Sequence, residues 1–146
     1  MVKEKMSLYQ FFASDKPMPE FDNMHAEPVI KGGEIAAIKC RPGFDEETAI
    51  RIIIEDDLTY ASQYTELQYI NYIEWCYKDD QAEVIIDYIR NLLKNRKSVS
   101  LYNTWLDDKS ELGIKKIHIS KLTIEIIKDL WGKNYFNYNE CCIIYH

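Results

Sequence analysis

The chain has 146 residues, 47% hydrophobic and 29% charged, with only five glycines and four prolines. That length suits one domain with a core of its own, and that composition excludes a disordered chain. The net charge of −6 and a pI near 5.1 argue against nucleic acid as a partner. Neutralising phosphates needs clustered cations, and the adjacent basic pairs in the chain are only Arg96-Lys97 and Lys115-Lys116.

No apolar run approaches the roughly 20 residues that a membrane-spanning helix needs. The apolar stretch Leu8 to Ala13 is too short for a signal peptide and is interrupted by Gln10, so a cytoplasmic location is expected. Cys40, Cys76, Cys141 and Cys142 show neither CxxC spacing nor a disulfide framework. They read as reduced thiols packed as small hydrophobes.

Taken in chain order, residues 7–13 are aromatic and short enough for a strand. Asp15 to Pro19 breaks it, because Pro17 and Pro19 lack the backbone donor. Gly32-Gly33 suggests a turn before a short strand, Glu34 to Cys40, which Arg41-Pro-Gly43 ends. Ala49 to Ile54 reads as a strand buried on both faces, followed by a polar connection from Glu55 to Gln68.

The second half carries stronger signals. Tyr69 to Tyr77 is an aromatic, β-branched strand, and Asp80-x-x-Glu83 resembles a capping box. A helical stripe follows through Ala82, Ile85, Ile86, Ile89, Leu92 and Leu93, with Lys94, Arg96 and Lys97 where the helix dipole favours cations. Val99 to Leu106 is the next strand, Asp107-Asp108 a turn, and Gly113 to Ile119 another strand. Thr123 is placed as an N-cap, Leu122 and Ile127 as a hydrophobic staple, and Gly132 as a left-handed helix end after Trp131. Glu140 to Tyr145 closes the chain with a strand.

From about residue 68 to 146 the order strand, helix, strand, strand, helix, strand predicts an α+β fold with a ferredoxin-like split βαβ unit. Residues 1–67 would extend or cover its sheet within a single domain. The segments Tyr9-Gln-Phe-Phe-Ala-Ser14 and Pro17-x-Pro19-Glu20 resemble the opening of a group of small bacterial proteins with no known activity. The stretches Ile73-Glu-Trp75 and Thr104-Trp-Leu-Asp-Asp108 fit the same group, and the resemblance implies no chemistry and no site.

A ferredoxin-like sheet of order 4-1-3-2 sets the Tyr69 strand between the closing strand and the Gly113 strand. Ile73, Trp75, Ile117 and Ile119 then face the helices, while Tyr72, Glu74, Cys76, Lys116 and His118 face away. Glu74 and His118 become cross-strand neighbours, with Tyr72 and Tyr102 beside them, as candidates for ligand or partner binding or acid–base work. The alternative is a structural polar pair covered by N-terminal strands.

Other motifs have plain readings. Cys76 would lie near Cys141 or Cys142, but adjacent strand residues point to opposite faces, so the pair cannot easily share one metal ion. Glu55-Asp56-Asp57 and Asp107-Asp108 lack the spacing of a calcium loop and read as solvated turns. No catalytic residue, metal or cofactor is assigned. Acidity, three tryptophans and eleven tyrosines fit a non-catalytic, immunity-like module that binds a protein, conceivably a basic one. The other reading is a small-molecule site or enzyme on the Tyr72, Glu74, Tyr102 and His118 face.

Overall fold

The computed structural model describes residues 8–23, 49–105, 111–132 and 139–146, and the backbone of 26–31 and 34–40. Its strands are β1 (Leu8–Ser14), β2 (Phe21–Asp22), β3 (Ala26–Lys31), β4 (Glu34–Cys40), β5 (Ile50–Ile54), β6 (Tyr69–Trp75), β7 (Ser98–Trp105), β8 (Gly113–His118) and β9 (Glu140–Tyr145). The helices are α1 (Asp79–Leu92) and α2 (Ile124–Trp131). The fold is α+β, built on a seven-stranded sheet, with β3 and β4 paired antiparallel apart from it. Gly32-Gly33 and Asp107-Asp108 lie outside the described residues.

The sheet runs β2-β5-β6-β1-β7-β9-β8, antiparallel except for the β8–β9 pair. The 4-1-3-2 order is therefore not what the chain adopts. A split βαβ unit does exist: β6 and β7 are both antiparallel to β1, hence parallel to each other, and α1 crosses between them. The strand inside the split is β1, not the Gly113 strand.

The cause is two-sided burial. Phe11 and Phe12 are both fully buried and point to opposite faces, so β1 needs cover above, below and at both edges. Only the middle of a sheet provides that. The same logic puts β9 between β7 and β8, since Cys141 and Cys142 are both buried on opposite faces.

Both helices cover one face. Ile85, Ile89 and Leu92 of α1, and Ile127, Leu130 and Trp131 of α2, pack on Phe12, Ile52, Ile73, Leu101, Cys142 and Ile144. Each fully buried Ile or Leu contributes about 1.5–3 kcal/mol. The second face holds Phe11, Ala13, Ile70, Tyr102 and Cys141 under Leu58, Ala61, Tyr64 and Leu67. The polar connection from Glu55 to Gln68 is thus a lid with an apolar underside.

Several local expectations change. Helix α1 starts at Asp79, with Lys78 at the N-cap and no side-chain cap hydrogen bond. Asp80 lies inside the first turn, where its charge still favours the dipole but cannot cap. Thr123 is at the N-cap of α2 without a side-chain bond, while Leu122 and Ile127 are both buried as a staple requires.

Gly132 sits at φ −90°, not in the left-handed region. Glycine is needed there for space, because a Cβ would meet the Lys128 carbonyl oxygen at 2.8 Å. Strand β5 is not buried on both faces either: Ile50 and Ile52 are fully buried on one face, while Arg51 and Ile53 on the other are only half-buried, and the last residue, Ile54, is 49% exposed.

Arg96 ties the N-terminal loop to the helix layer. Its side chain is buried; Nε donates to the Leu92 carbonyl at 2.9 Å, Nη1 to Ser14 Oγ at 2.9 Å and Nη2 to the Pro17 carbonyl at 3.0 Å. The cation thereby also satisfies the negative end of α1.

Candidate functional site

The four candidate residues divide in two. Phe11 pairs with Tyr72 on one side and with Tyr102 on the other, so these three rings form one row across β6, β1 and β7. The Phe11 and Tyr102 rings stack 4.7 Å apart at 6°. Burial pushes the Tyr102 hydroxyl up to about 12, and also raises that of Tyr72, with the Glu74 carboxylate a smaller cause. This row is a packed core layer.

Glu74 and His118 do not meet. Strands β1, β7 and β9 lie between β6 and β8, which separates them by roughly 19 Å of sheet at ~4.8 Å per strand. Glu74 sits exposed, 3.8 Å from Arg51, whose guanidinium also lies 3.6 Å from Asp22. His118 ends β8, and its Nδ1 accepts the Ser120 backbone N–H at 3.1 Å. Its ring rests edge-on against Tyr145 at 5.2 Å. The imidazole is a turn cap.

The cysteines separate likewise. Cys76 follows β6 and is exposed, while Cys141 and Cys142 are buried on β9, two strands beyond β6's neighbour. Cys76 therefore has neither as a partner. Burial raises both β9 thiols, Cys142 to about 11, which keeps them protonated and unreactive. No group of three potential metal ligands occurs among the described residues.

What the fold does assemble is an acidic, apolar-lipped groove at the β5–β6 end of the sheet. Pro17, Met18, Ile54, Leu58, Tyr69, Ile70 and Asn71 line a space of about 240 Å³ with Glu55 and Asp56 on its rim. Tyr69 is 43% exposed and nearby Tyr60 48%, unusual positions for large rings. Asn71 braces one wall: its Nδ2 donates to the Met18 carbonyl at 3.2 Å and fixes residues 17–19.

The rim is held by its own hydrogen bonds. Glu55 Oε2 accepts the Tyr9 hydroxyl at 3.2 Å, and Oε1 accepts the Asp57 N–H at 3.1 Å. Burial raises the Tyr9 hydroxyl, with Glu55 adding to it. Asp57 Oδ1 accepts both the N–H and the hydroxyl of Thr59, which lowers the Asp57 carboxyl. Glu20 Oε2 accepts the Ile54 N–H at 2.9 Å.

Charge is unevenly spread. Residues 14–23 and 49–77 carry Asp15, Glu20, Asp22, Glu55, Asp56, Asp57, Glu66 and Glu74 against Lys16 and Arg51. Around β8, α2 and β9, Glu111, Glu125, Asp129 and Glu140 are balanced by Lys115, Lys116, Lys121 and Lys128. The acidic excess of these segments lies in the part of the chain that builds the groove, where Glu55 and Asp56 line it and Glu20 is bonded to its lip residue Ile54.

No family model, curated protein or solved structure matches this chain. Function has to be argued from the groove itself. In the sequence the acidic run reads as a solvated turn and Pro17 and Pro19 as a strand break, and exposure of Ile54 and Tyr69 has no local signal.

Proposed function

We propose that the protein is a non-catalytic interaction module that binds a basic protein through the acidic end of its sheet, as an immunity-type protein acting in the cytoplasm would. One observation carries this reading: Glu55, Asp56 and Glu20 stand at a groove whose lips, Ile54 and Tyr69, are large exposed apolar side chains. Apolar anchors inside a charged rim are the usual anatomy of a protein interface. The rim charges would steer a cationic partner and speed its arrival.

The small-molecule reading loses its basis, because it needed Glu74 beside His118. Among the described residues no helix is long and apolar enough to cross a membrane.

The test is a selection from a displayed peptide library. Wild-type protein should enrich sequences rich in lysine and arginine, with binding that weakens as salt rises. The Asp56→Lys variant should enrich them no longer. Enrichment of acidic or purely apolar sequences by the wild type would refute the proposal.

A further inference from the structure

We infer that the groove takes an extended segment of the partner with one large apolar side chain between lysines or arginines; this rests on the reading above. Size is the first argument. Sites for drug-sized ligands enclose roughly 300–1,000 Å³, whereas this groove holds about 240 Å³. At about 30 Å³ per water, that is room for roughly eight waters, enough for one large side chain.

Lining chemistry is the second argument. Met18, Leu58 and Ile70 offer an apolar floor, and Ile54 and Tyr69 stand as lips. A side chain entering between them removes apolar surface from water on both partners. Charge complementarity fixes what must flank it. Asp56 and Glu55 stand on one side of the lip residue Ile54, and Glu20 is bonded to the backbone of Ile54 itself. Cations flanking the anchor would find these carboxylates beside the lip.

The backbone excludes a different mode. Antiparallel alternation points the N–H groups of Ile50, Ile52 and Ile54 away from β6, toward the outer edge of β5. β2 pairs with β5 at Phe21↔Ile52 and Asp22↔Arg51. Asn23 Oδ1 takes the N–H of Ile50 at 2.6 Å, and Glu20 takes that of Ile54. The edge is therefore closed to an added strand. Recognition there proceeds by insertion of a side chain. The hydrogen-bonded rim from Glu55 to Thr59 is already in place, which lowers the ordering cost of binding.

The experiment is calorimetric titration of the full chain with three synthetic peptides. One carries leucine between two lysine–arginine pairs, one replaces the leucine by alanine, and one replaces the cations by glutamate. The leucine peptide should bind about tenfold more tightly than the alanine peptide, and the glutamate peptide should not bind. Tyr69→Ala, an exposed lip change, should erase the preference for leucine while leaving the salt dependence.

Equal binding of the leucine and alanine peptides, both lost in Asp56→Lys, would overturn the anchored mode and leave a basic partner standing. If neither cationic peptide outperforms the acidic one, both readings fall. Concentration-dependent self-association abolished by Lys115→Glu would also overturn it, by making a second copy the occupant through its exposed Ile114 and adjacent lysines.

Discussion

The two ends of the seven-stranded sheet solve the same problem differently. At the β5 end, side chains from elsewhere cap the outward backbone donors: Asn23 takes that of Ile50 and Glu20 that of Ile54. At the β8 end the strand itself supplies the defence, with Lys115 and Lys116 exposed beside Ile114, which is 64% exposed. The Lys116 ammonium also lies over the Tyr145 ring at 4.9 Å. The first arrangement leaves apolar side chains free to line a groove. The second leaves a charged edge, beside which Gly113, Ile114, Lys115, Glu140 and Cys141 line a space of about 230 Å³. Both ends keep strands from adding, but the capped end sets its exposed apolar side chains beside carboxylates, whereas the β8 end sets Ile114 beside lysines.

Breaking the wall of the capped end should have the largest effect. Arg96→Met removes the hydrogen bonds to Ser14, Pro17 and Leu92 and takes from the loop the buried group that holds it to α1. A loss of about 2–4 kcal/mol is expected, read by urea unfolding. Amide exchange should quicken first in residues 14–20, while β8 keeps its wild-type rates. Uniform loosening of both ends would contradict the contrast.

Alkali should act next. The tyrosine hydroxyls of Tyr88 and Tyr102 are pushed up from 10 to about 12, mainly by burial. Between those values the unfolded chain binds fewer protons than the native one, so stability falls as pH rises. The full contribution is present below pH 10 and is lost on approach to about 12. Thermal melts across that window should show the decline, and Tyr102→Phe should flatten it. A pH-independent melt from 9 to 12 would show that these hydroxyls are not buried as described.

Smaller effects probe the β8 edge. Replacing Lys115 and Lys116 together by valine should change stability by less than about 1 kcal/mol while promoting concentration-dependent association, which sedimentation velocity detects. Monomeric behaviour of that variant would mean the lysines do not guard the edge. The smallest change is expected from Glu74→Gln. Its exposed pairing with Arg51 contributes no more than about 0.5 kcal/mol. A larger loss would reopen a role for Glu74.

Much of the molecule was legible locally. The alternation that sent Ile73 and Trp75 toward the helices and Tyr72 away from them matches the two core layers. Leu122 and Ile127 behave as the staple their spacing implied, and Cys141 and Cys142 part to opposite faces as neighbours on a strand must. The pairing of Glu74 with His118 failed for a different reason. It depended on which strands are adjacent, and the strand that separates β6 from β7 lies more than fifty residues upstream of β6. The groove was invisible for a related cause: its walls come from residues 17–18, 54–58 and 68–71, brought together only by sheet order.

The amino-acid pattern by itself determined the kinds of element, their order in the second half, and the face each side chain takes. Those properties follow from backbone periods of 2 and 3.6 residues, which act over a few neighbouring positions. Only the tertiary structure decided that β1 lies at the centre of the sheet and that Glu55 and Asp56 share one groove with Met18, Ile54 and Tyr69. Backbone hydrogen bonds between strands are nearly blind to side-chain identity, so the choice of neighbour is left to burial summed over the whole molecule. A strand with Phe11 and Phe12 on opposite faces finds enough of it only in the interior.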